Sequence, residues 1–145
     1  MISPAAIIDA ENCPTTVRAL VKDGAGRGLL LRRSAASRRF AGQWEWPGGK
    51  AKLGEAPIEA LKREVREETG WDVEVLHELG AYPGEVDGRA FSVFYFEAQI
   101  AGGTLRLSDE HEAARWLSLP EMLHLDLIPG LSQFISAYLQ RGRER

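Results

Sequence analysis

Apolar residues recur along the chain with two different periods, and each period predicts one type of element. Five alternating or continuous apolar runs predict β-strands: 15–22, 28–32, 73–82, 90–100 and 113–117. A hairpin turn is expected at 23–26, where glycines separate the first two runs. A loop is expected at 83–89, between the two longest runs. Strands therefore account for most of the predicted regular structure.

Two segments carry the helical period instead. Residues 56–69 predict a helix, because Pro57 suits a first turn and Gly70 suits the position just past a helix end. Residues 131–140 predict an amphipathic closing helix, whose apolar side consists of Leu131, Phe134, Ile135, Tyr138 and Leu139. Strands on both sides of a central helix, followed by a terminal helix, predict an α/β sandwich with a mixed sheet.

Length and composition limit the kind of protein this is. The 145 residues contain no repeat or linker, so a single domain covering 1–145 is expected. The single cysteine, Cys13, excludes an internal disulfide and has no catalytic motif around it. Residues 1–10 make a poor signal peptide, and no apolar run approaches the roughly 18 residues of a membrane span. We expect a cytoplasmic protein without a membrane partner.

Net charge narrows the partner class further. A formal charge of −3 disfavours binding to a nucleic-acid polymer, which usually requires a basic surface. A small anionic substrate remains compatible with this charge if local cations or metals receive it. A monomer and a homodimer are equally compatible with the sequence.

Three acids lie on one side of the predicted helix. Glu64, Glu67 and Glu68 fall within an arc of about 100° at the helical period. A narrow apolar stripe lies beside that arc: Ile58, Leu61 and Val65. The acids are therefore expected at the edge of the buried face, where the i,i+4 repulsion between Glu64 and Glu68 increases. A hard divalent cation would reverse that repulsion, although a solvated charged face would explain the helix taken alone.

The segment before the helix favours the cation. The loop 48–55 is punctuated by glycines, which let backbone groups approach a ligand closely. From Gly49, five residues lead to Glu55 and seven more lead to the segment 63–71, REVREETGW. This pattern resembles the Nudix box, a loop–helix–loop signature of 23 residues. Its fixed positions are all present: Gly49, Glu55, Arg63, Glu64, Val65, Glu67, Glu68 and Gly70. Only Trp71 departs, because the family prefers an aliphatic residue there.

The resemblance implies a Nudix-type α/β/α sandwich that hydrolyses a nucleotide phosphoanhydride with Mg²⁺ or Mn²⁺. It implies a ligand set of one backbone carbonyl and three carboxylates: Gly48, Glu64, Glu67 and Glu68. Glu64 would also help to activate water. Arg63 would assist catalysis by orienting the acids through a salt bridge with Glu55, while Gly49 and Gly70 would support the loop and the helix end.

A further acid is expected on a distal loop. Glu110 lies six residues before Trp116, and MutT-like relatives carry an acid near this point that completes the metal site or acts as a base. Glu112 and His111 are rivals for that role. A solvated loop is the alternative for the whole acidic segment.

Substrate contacts are expected around the segment 44–50, WEWPGGK, which is similar to the segment before the box in MutT-type members. Lys50 would hold phosphates. The arginines within the basic run at 32–39 would form either a clamp for a phosphate or a base, with Arg33 as the best candidate, or a solvated loop. Trp46 would stack on the base or else fill the core. Residues 127–131 offer no Asn or Asp as a base reader, so broad nucleotide selectivity is expected.

Three activities fit the resemblance. The first is a MutT-like pyrophosphohydrolase that converts a nucleoside triphosphate to a monophosphate and pyrophosphate. The second is cleavage of ADP-ribose or another nucleoside-diphosphate sugar, although Pro83 lies nearer to the box than the proline of that group. The third is a nucleotide-sensing module without catalysis, which usually loses acids that this chain keeps. The base, the sugar and the leaving group stay open.

Overall fold

A seven-stranded sheet with helices on both faces forms the structure, a computed structural model that describes residues 14–86 and 88–143. The strands are β1 (Thr15–Lys22), β2 (Gly28–Arg33), β3 (Trp44–Glu45), β4 (Gly48–Lys50), β5 (Trp71–Val86), β6 (Arg89–Gly103) and β7 (His111–Leu117). The helices are α1 (Pro57–Thr69), α2 (Leu119–Met122) and α3 (Leu131–Arg143). Cys13 and the segment 1–10 lie outside the described residues.

The sheet is mixed, and β1 connects its two halves. Its main path runs β3-β2-β1-β6-β5, while β4 pairs with β1 and β7 pairs with β2. The pairing of β1 with β6 is parallel, and the other pairings are antiparallel. β1 meets β2 only at the Lys22–Gly28 pair and pairs with β4 over Thr16–Arg18. The glycine loop is therefore part of the sheet.

Apolar side chains alternate between the two faces of the sheet and form two buried clusters. Val17 and Ala19 belong to the cluster beneath α1, whereas Leu20 belongs to the cluster beneath α2 and α3. The first cluster includes Leu61 and Val65 of α1. The second includes residues from both C-terminal helices: Leu119, Met122, Leu131, Phe134 and Ile135. The predicted α/β/α sandwich with a mixed sheet is confirmed.

The central helix ends as predicted, but its buried side differs. Gly70 has a φ of 79° and donates its N–H to the carbonyl of Arg66, which closes the last turn. Ile58 is 42% exposed, so its predicted place in the apolar stripe is wrong. The buried side of α1 centres on Leu61, Val65 and Glu68, and Ile58 lies at its flank in the first turn.

The predicted loop at 83–89 is also wrong, because β5 and β6 pair as far as Val86 and Arg89. Pro83 is accommodated because β5 is an edge strand of the sheet, where a missing N–H costs no ladder hydrogen bond. The short elements β3, β4 and α2 were not predicted. Within 14–86 and 88–143, no helix combines the length and the apolar character needed to span a bilayer.

Candidate active site

Glu68 links the central helix to the glycine loop. Its side chain lies in the last turn of α1, is only 4% exposed and accepts a hydrogen bond from the Gly48 N–H at 2.9 Å. Burial raises the pKa of this carboxyl well above its ordinary value, and neighbouring Glu45 and Glu64 act in the same direction. The Arg18 guanidinium and the Gly48 amide only partly oppose this rise. Glu68 is therefore a buried carboxylate that would gain from a cation.

Glu64, one turn earlier, lies against β4. A Cβ atom at position 49 would come within 2.6 Å of a Glu64 carboxylate oxygen, so glycine is required for this approach. Burial raises the pKa of Glu64, against the effect of Arg63, which donates to it at 3.0 Å. Glu67 and Glu110 add to the rise through their negative charge. The acids of α1 and the distal loop thus act on one another.

Arg63 orients the acids of the loop and the helix. Its Nε and Nη2 atoms donate to the two carboxylate oxygens of Glu55 at 2.8 and 3.0 Å, so the predicted salt bridge is present. Nη2 also donates to the Lys50 carbonyl at 3.1 Å, and Nη1 donates to Glu67 at 3.3 Å. Hydrogen bonding from Arg63 lowers the pKa of Glu55 to about 2, although burial acts in the opposite direction. The salt bridge fixes the loop to the helix.

The two candidate acids of the distal segment have different positions: Glu110 lies near Glu68 of α1, and Glu112 does not belong to that group. Carboxylate oxygens of Glu68 and Glu110 and a ring nitrogen of His111 all lie within 4.8 Å of one another, and such a group could hold a metal ion. Glu112 instead pairs with Arg32 at 3.7 Å. Of the three candidates in this segment, Glu110 and His111 therefore lie at the helix acids.

Glu67 is placed differently from the other predicted ligands. Its side chain is 55% exposed and pairs with Arg63. It does not belong to the group formed by Glu68, Glu110 and His111. Its role as a ligand stays a prediction, as does that of the Gly48 carbonyl.

A buried ion cluster next to these acids was not predicted. Glu45, in β3, has a side chain that is 2% exposed and pairs with Arg18 at 3.1 Å, Arg33 at 3.0 Å and His111 at 2.7 Å. Burial would raise the pKa of Glu45, but Arg18, His111 and Arg33 together lower it to about 2. The only signal in the sequence is a charge directly between apolar neighbours, at Arg18 and again at Glu45.

Arg33 and Lys50, the two cations predicted to contact substrate, lie in different surroundings. Arg33 donates to Glu45 and, through Nε, to the Arg39 carbonyl at 2.9 Å, so its guanidinium is held by the protein. Lys50 is exposed at the end of β4, next to the Arg63 salt bridge. Both remain predictions as substrate contacts.

Trp46 is a core residue, and the prediction that it stacks on a base is wrong. Its side chain has no exposed surface, and its indole N–H donates to the Met122 sulfur at 3.4 Å. Tyr95 and Phe134 contact its ring edge-on, with centroids at 5.7 and 5.8 Å. Because Trp46 directly follows Glu45 in the chain, it faces the α3 layer while Glu45 faces the ion cluster.

Comparison with known proteins agrees with this geometry. A family model described as "NUDIX domain" matches residues 14–138. The chain is 35% identical over 114 residues to the CTP pyrophosphohydrolase of Escherichia coli, covering 79% of this chain and 83% of that protein. It is 34% identical over 105 residues to the oxidized purine nucleoside triphosphate hydrolase of Mus musculus, covering 71% and 67%.

The fold is also similar to that of solved structures. The MutT protein from Methanosarcina mazei superposes with a TM-score of 0.82 at 31% identity, covering 92% of this chain and 98% of that one. The chain belongs to the Nudix family. It is a MutT-like Nudix hydrolase that acts on the phosphoanhydride of nucleotides.

Proposed function

We propose that the chain hydrolyses nucleoside triphosphates to a nucleoside monophosphate and pyrophosphate, using Mg²⁺ or Mn²⁺. The observation that carries this proposal is the convergence of Glu68 and Glu110 within 4.8 Å, next to the glycine loop of the box. The names of two relatives, a CTP pyrophosphohydrolase and an oxidized purine nucleoside triphosphate hydrolase, support a triphosphate as the substrate.

The donor set fits a hard divalent cation. Glu68 is a buried carboxylate whose raised pKa marks an unfavourable negative charge, and carboxylate oxygens are preferred ligands of Mg²⁺. The residues proposed to hold the cation are Gly48, through its carbonyl, Glu64, Glu67, Glu68 and Glu110. When bound, the cation would neutralise phosphate charge and lower the pKa of the attacking water.

Side chains of the protein would accept the proton from water and hold the acids and the phosphates in position. The water oxygen forms a bond to phosphorus while the bridging P–O bond breaks and pyrophosphate leaves, so one proton must be accepted from water. Glu110 is exposed and solvent can reach it, whereas Glu68 is not accessible, which makes Glu110 the better acceptor. Arg63 donates hydrogen bonds to Glu64 and Glu67 and would keep them in place. The exposed Lys50 would supply a positive charge to a phosphate oxygen.

A substrate panel tests the proposed reaction. Ribo- and deoxynucleoside triphosphates, including CTP and an oxidised purine triphosphate, would be incubated with Mg²⁺ or Mn²⁺ beside ADP-ribose and a dinucleoside tetraphosphate. We expect monophosphate and pyrophosphate by product chromatography, activity on several bases and no turnover in a chelator. Faster cleavage of ADP-ribose than of every triphosphate, or release of a diphosphate and orthophosphate, would overturn the proposal.

The two distal acids should differ sharply in their effect on turnover. Glu110→Gln should lower kcat by about 10²- to 10⁴-fold, the usual value of a general base, with little change in KM. Glu112→Gln is the matched control and should stay near wild type, because Glu112 pairs with Arg32. Steady-state kinetics on the best triphosphate would measure both variants. An equal or reversed ranking would reassign the role to Glu112.

A further inference from the structure

His111 lies buried between the ion cluster and the acids of the site. Its side chain has no exposed surface, and its Nε2 atom lies 2.7 Å from a Glu45 carboxylate oxygen. Its Nδ1 atom is buried and has no hydrogen-bond partner among residues 14–86 and 88–143. One ring nitrogen lies within 4.8 Å of carboxylate oxygens of both Glu68 and Glu110.

The surroundings of Glu45 determine which ring nitrogen carries the proton. Glu45 faces the guanidinium groups of Arg18 and Arg33, so its carboxylate is an acceptor. The Nε2 atom of His111 must therefore donate to Glu45, which leaves the lone pair of a neutral imidazole on Nδ1. A carboxylate that fixes the outer nitrogen of a histidine is the usual support of a metal-bound imidazole. The unpartnered Nδ1 is thus the free end of a Glu45–His111 pair.

We propose that Nδ1 of His111 is a ligand of the divalent cation, beside the carboxylates of Glu68 and Glu110. This inference rests on the cation site of the proposed function. A nitrogen ligand makes the donor set less suited to Mg²⁺, which takes oxygen ligands in a near-ideal octahedron. Imidazole favours first-row transition ions, whose affinity rises from Mn²⁺ to Co²⁺. The site therefore prefers Mn²⁺ or Co²⁺ to Mg²⁺.

Pulsed electron paramagnetic resonance on the full-length protein with Mn²⁺ tests the ligand directly. Histidine labelled with ¹⁵N in the ring should replace a ¹⁴N coupling of bound Mn²⁺ by a ¹⁵N coupling. The chain has three histidines, so two matched controls exist: His77→Gln and His124→Gln, both at exposed positions. His111→Gln should remove the imidazole coupling, and the two controls should keep it.

The conservative variant separates ligation from a purely structural role. A glutamine amide can still donate to Glu45 from the position of Nε2 but lacks the Nδ1 lone pair. In His111→Gln, the ratio of Mn²⁺ to Mg²⁺ affinity, measured by calorimetry, should therefore fall by about 10-fold or more. A role limited to positioning Glu45 would leave this ratio unchanged.

The outcomes distinguish this inference from the function on which it rests. If labelled wild-type protein binds Mn²⁺ without any imidazole coupling, the His111 ligand is wrong and the cation site stands. If Mn²⁺ does not bind at all, the cation site of the proposed function is wrong as well. The wild-type spectrum decides the question even if His111→Gln does not fold.

Discussion

Replacing Glu68 by glutamine should lower turnover by more than about 100-fold while leaving the metal-free protein at least as stable as wild type. Mutating a residue that only hydrogen-bonds to a metal ligand typically lowers metal affinity or activity by about 10- to 100-fold. Loss of a proposed ligand itself should lower activity by more than that. A glutamine oxygen can still accept the Gly48 N–H, so the contact between α1 and β4 survives. Steady-state kinetics and thermal unfolding in a chelator would measure the two effects.

The pH dependence of stability gives this variant a second signature. Because the folded pKa of Glu68 is raised above its ordinary value of 4.5, the folded state holds its proton more tightly than the unfolded state. Metal-free wild type should therefore lose stability as pH increases from 4.5 through the raised pKa. Glu68→Gln should lack this loss. Glu59→Gln, in the first turn of the same helix, is the control. It should keep the turnover of wild type and show the same loss of stability with rising pH. Near-full activity of Glu68→Gln would exclude the proposed site.

Replacing Glu45 by glutamine should destabilise the protein by about 3 kcal/mol, or roughly 10 °C in Tm. The change leaves the guanidinium groups of Arg18 and Arg33, each largely buried, without their shared counter-charge. Glu112→Gln removes a carboxylate from an exposed pair and should change stability by no more than about 0.5 kcal/mol. Urea unfolding of both variants in a chelator would give the comparison.

The effect of Glu45→Gln should depend on pH in a defined direction. The folded pKa of Glu45 is about 2 against an ordinary value of 4.5, so its contribution is complete above 4.5 and is lost as pH falls toward 2. The difference in unfolding free energy between wild type and Glu45→Gln should therefore shrink on acidification across that interval. A difference that is constant from neutral pH to pH 3 would contradict the assigned role of the carboxylate.

The sequence predicted those parts of the site that lie close together in the chain. The box places Glu64 and Glu68 one helical turn apart, and Gly49 lies in the same motif, separated from the helix by one short loop. Local spacing and helical geometry are enough to bring such groups together. The Arg63–Glu55 salt bridge follows from the same short segment.

The parts that were missed depend on contacts between distant segments. Glu45 and His111 are 66 positions apart and meet only because β3 and β7 both flank β2. The pairing of β3 with β2 also places Trp46 against Phe134. The sequence around such a short strand does not indicate which of its faces is buried by other elements. The lengths of β5 and β6 were underestimated because Pro83 suggests a break, whereas an edge strand tolerates it.

The parallel pairing of β1 with β6 has a consequence for synthesis of the chain. Thr15 pairs with Ser92, so β1 can pair with β6 only after much later residues have been translated, whereas β2 and β4 are available earlier. The acids of the site are also separated in the sequence: Glu64, Glu67 and Glu68 lie in α1, and the proposed distal acid is Glu110. A ribosome-bound chain that ends before Glu110 therefore carries the complete signature motif without the proposed distal acid. If Glu110 acts in the site as proposed, we expect hydrolysis only after synthesis has passed Glu110 and the strands around it have paired.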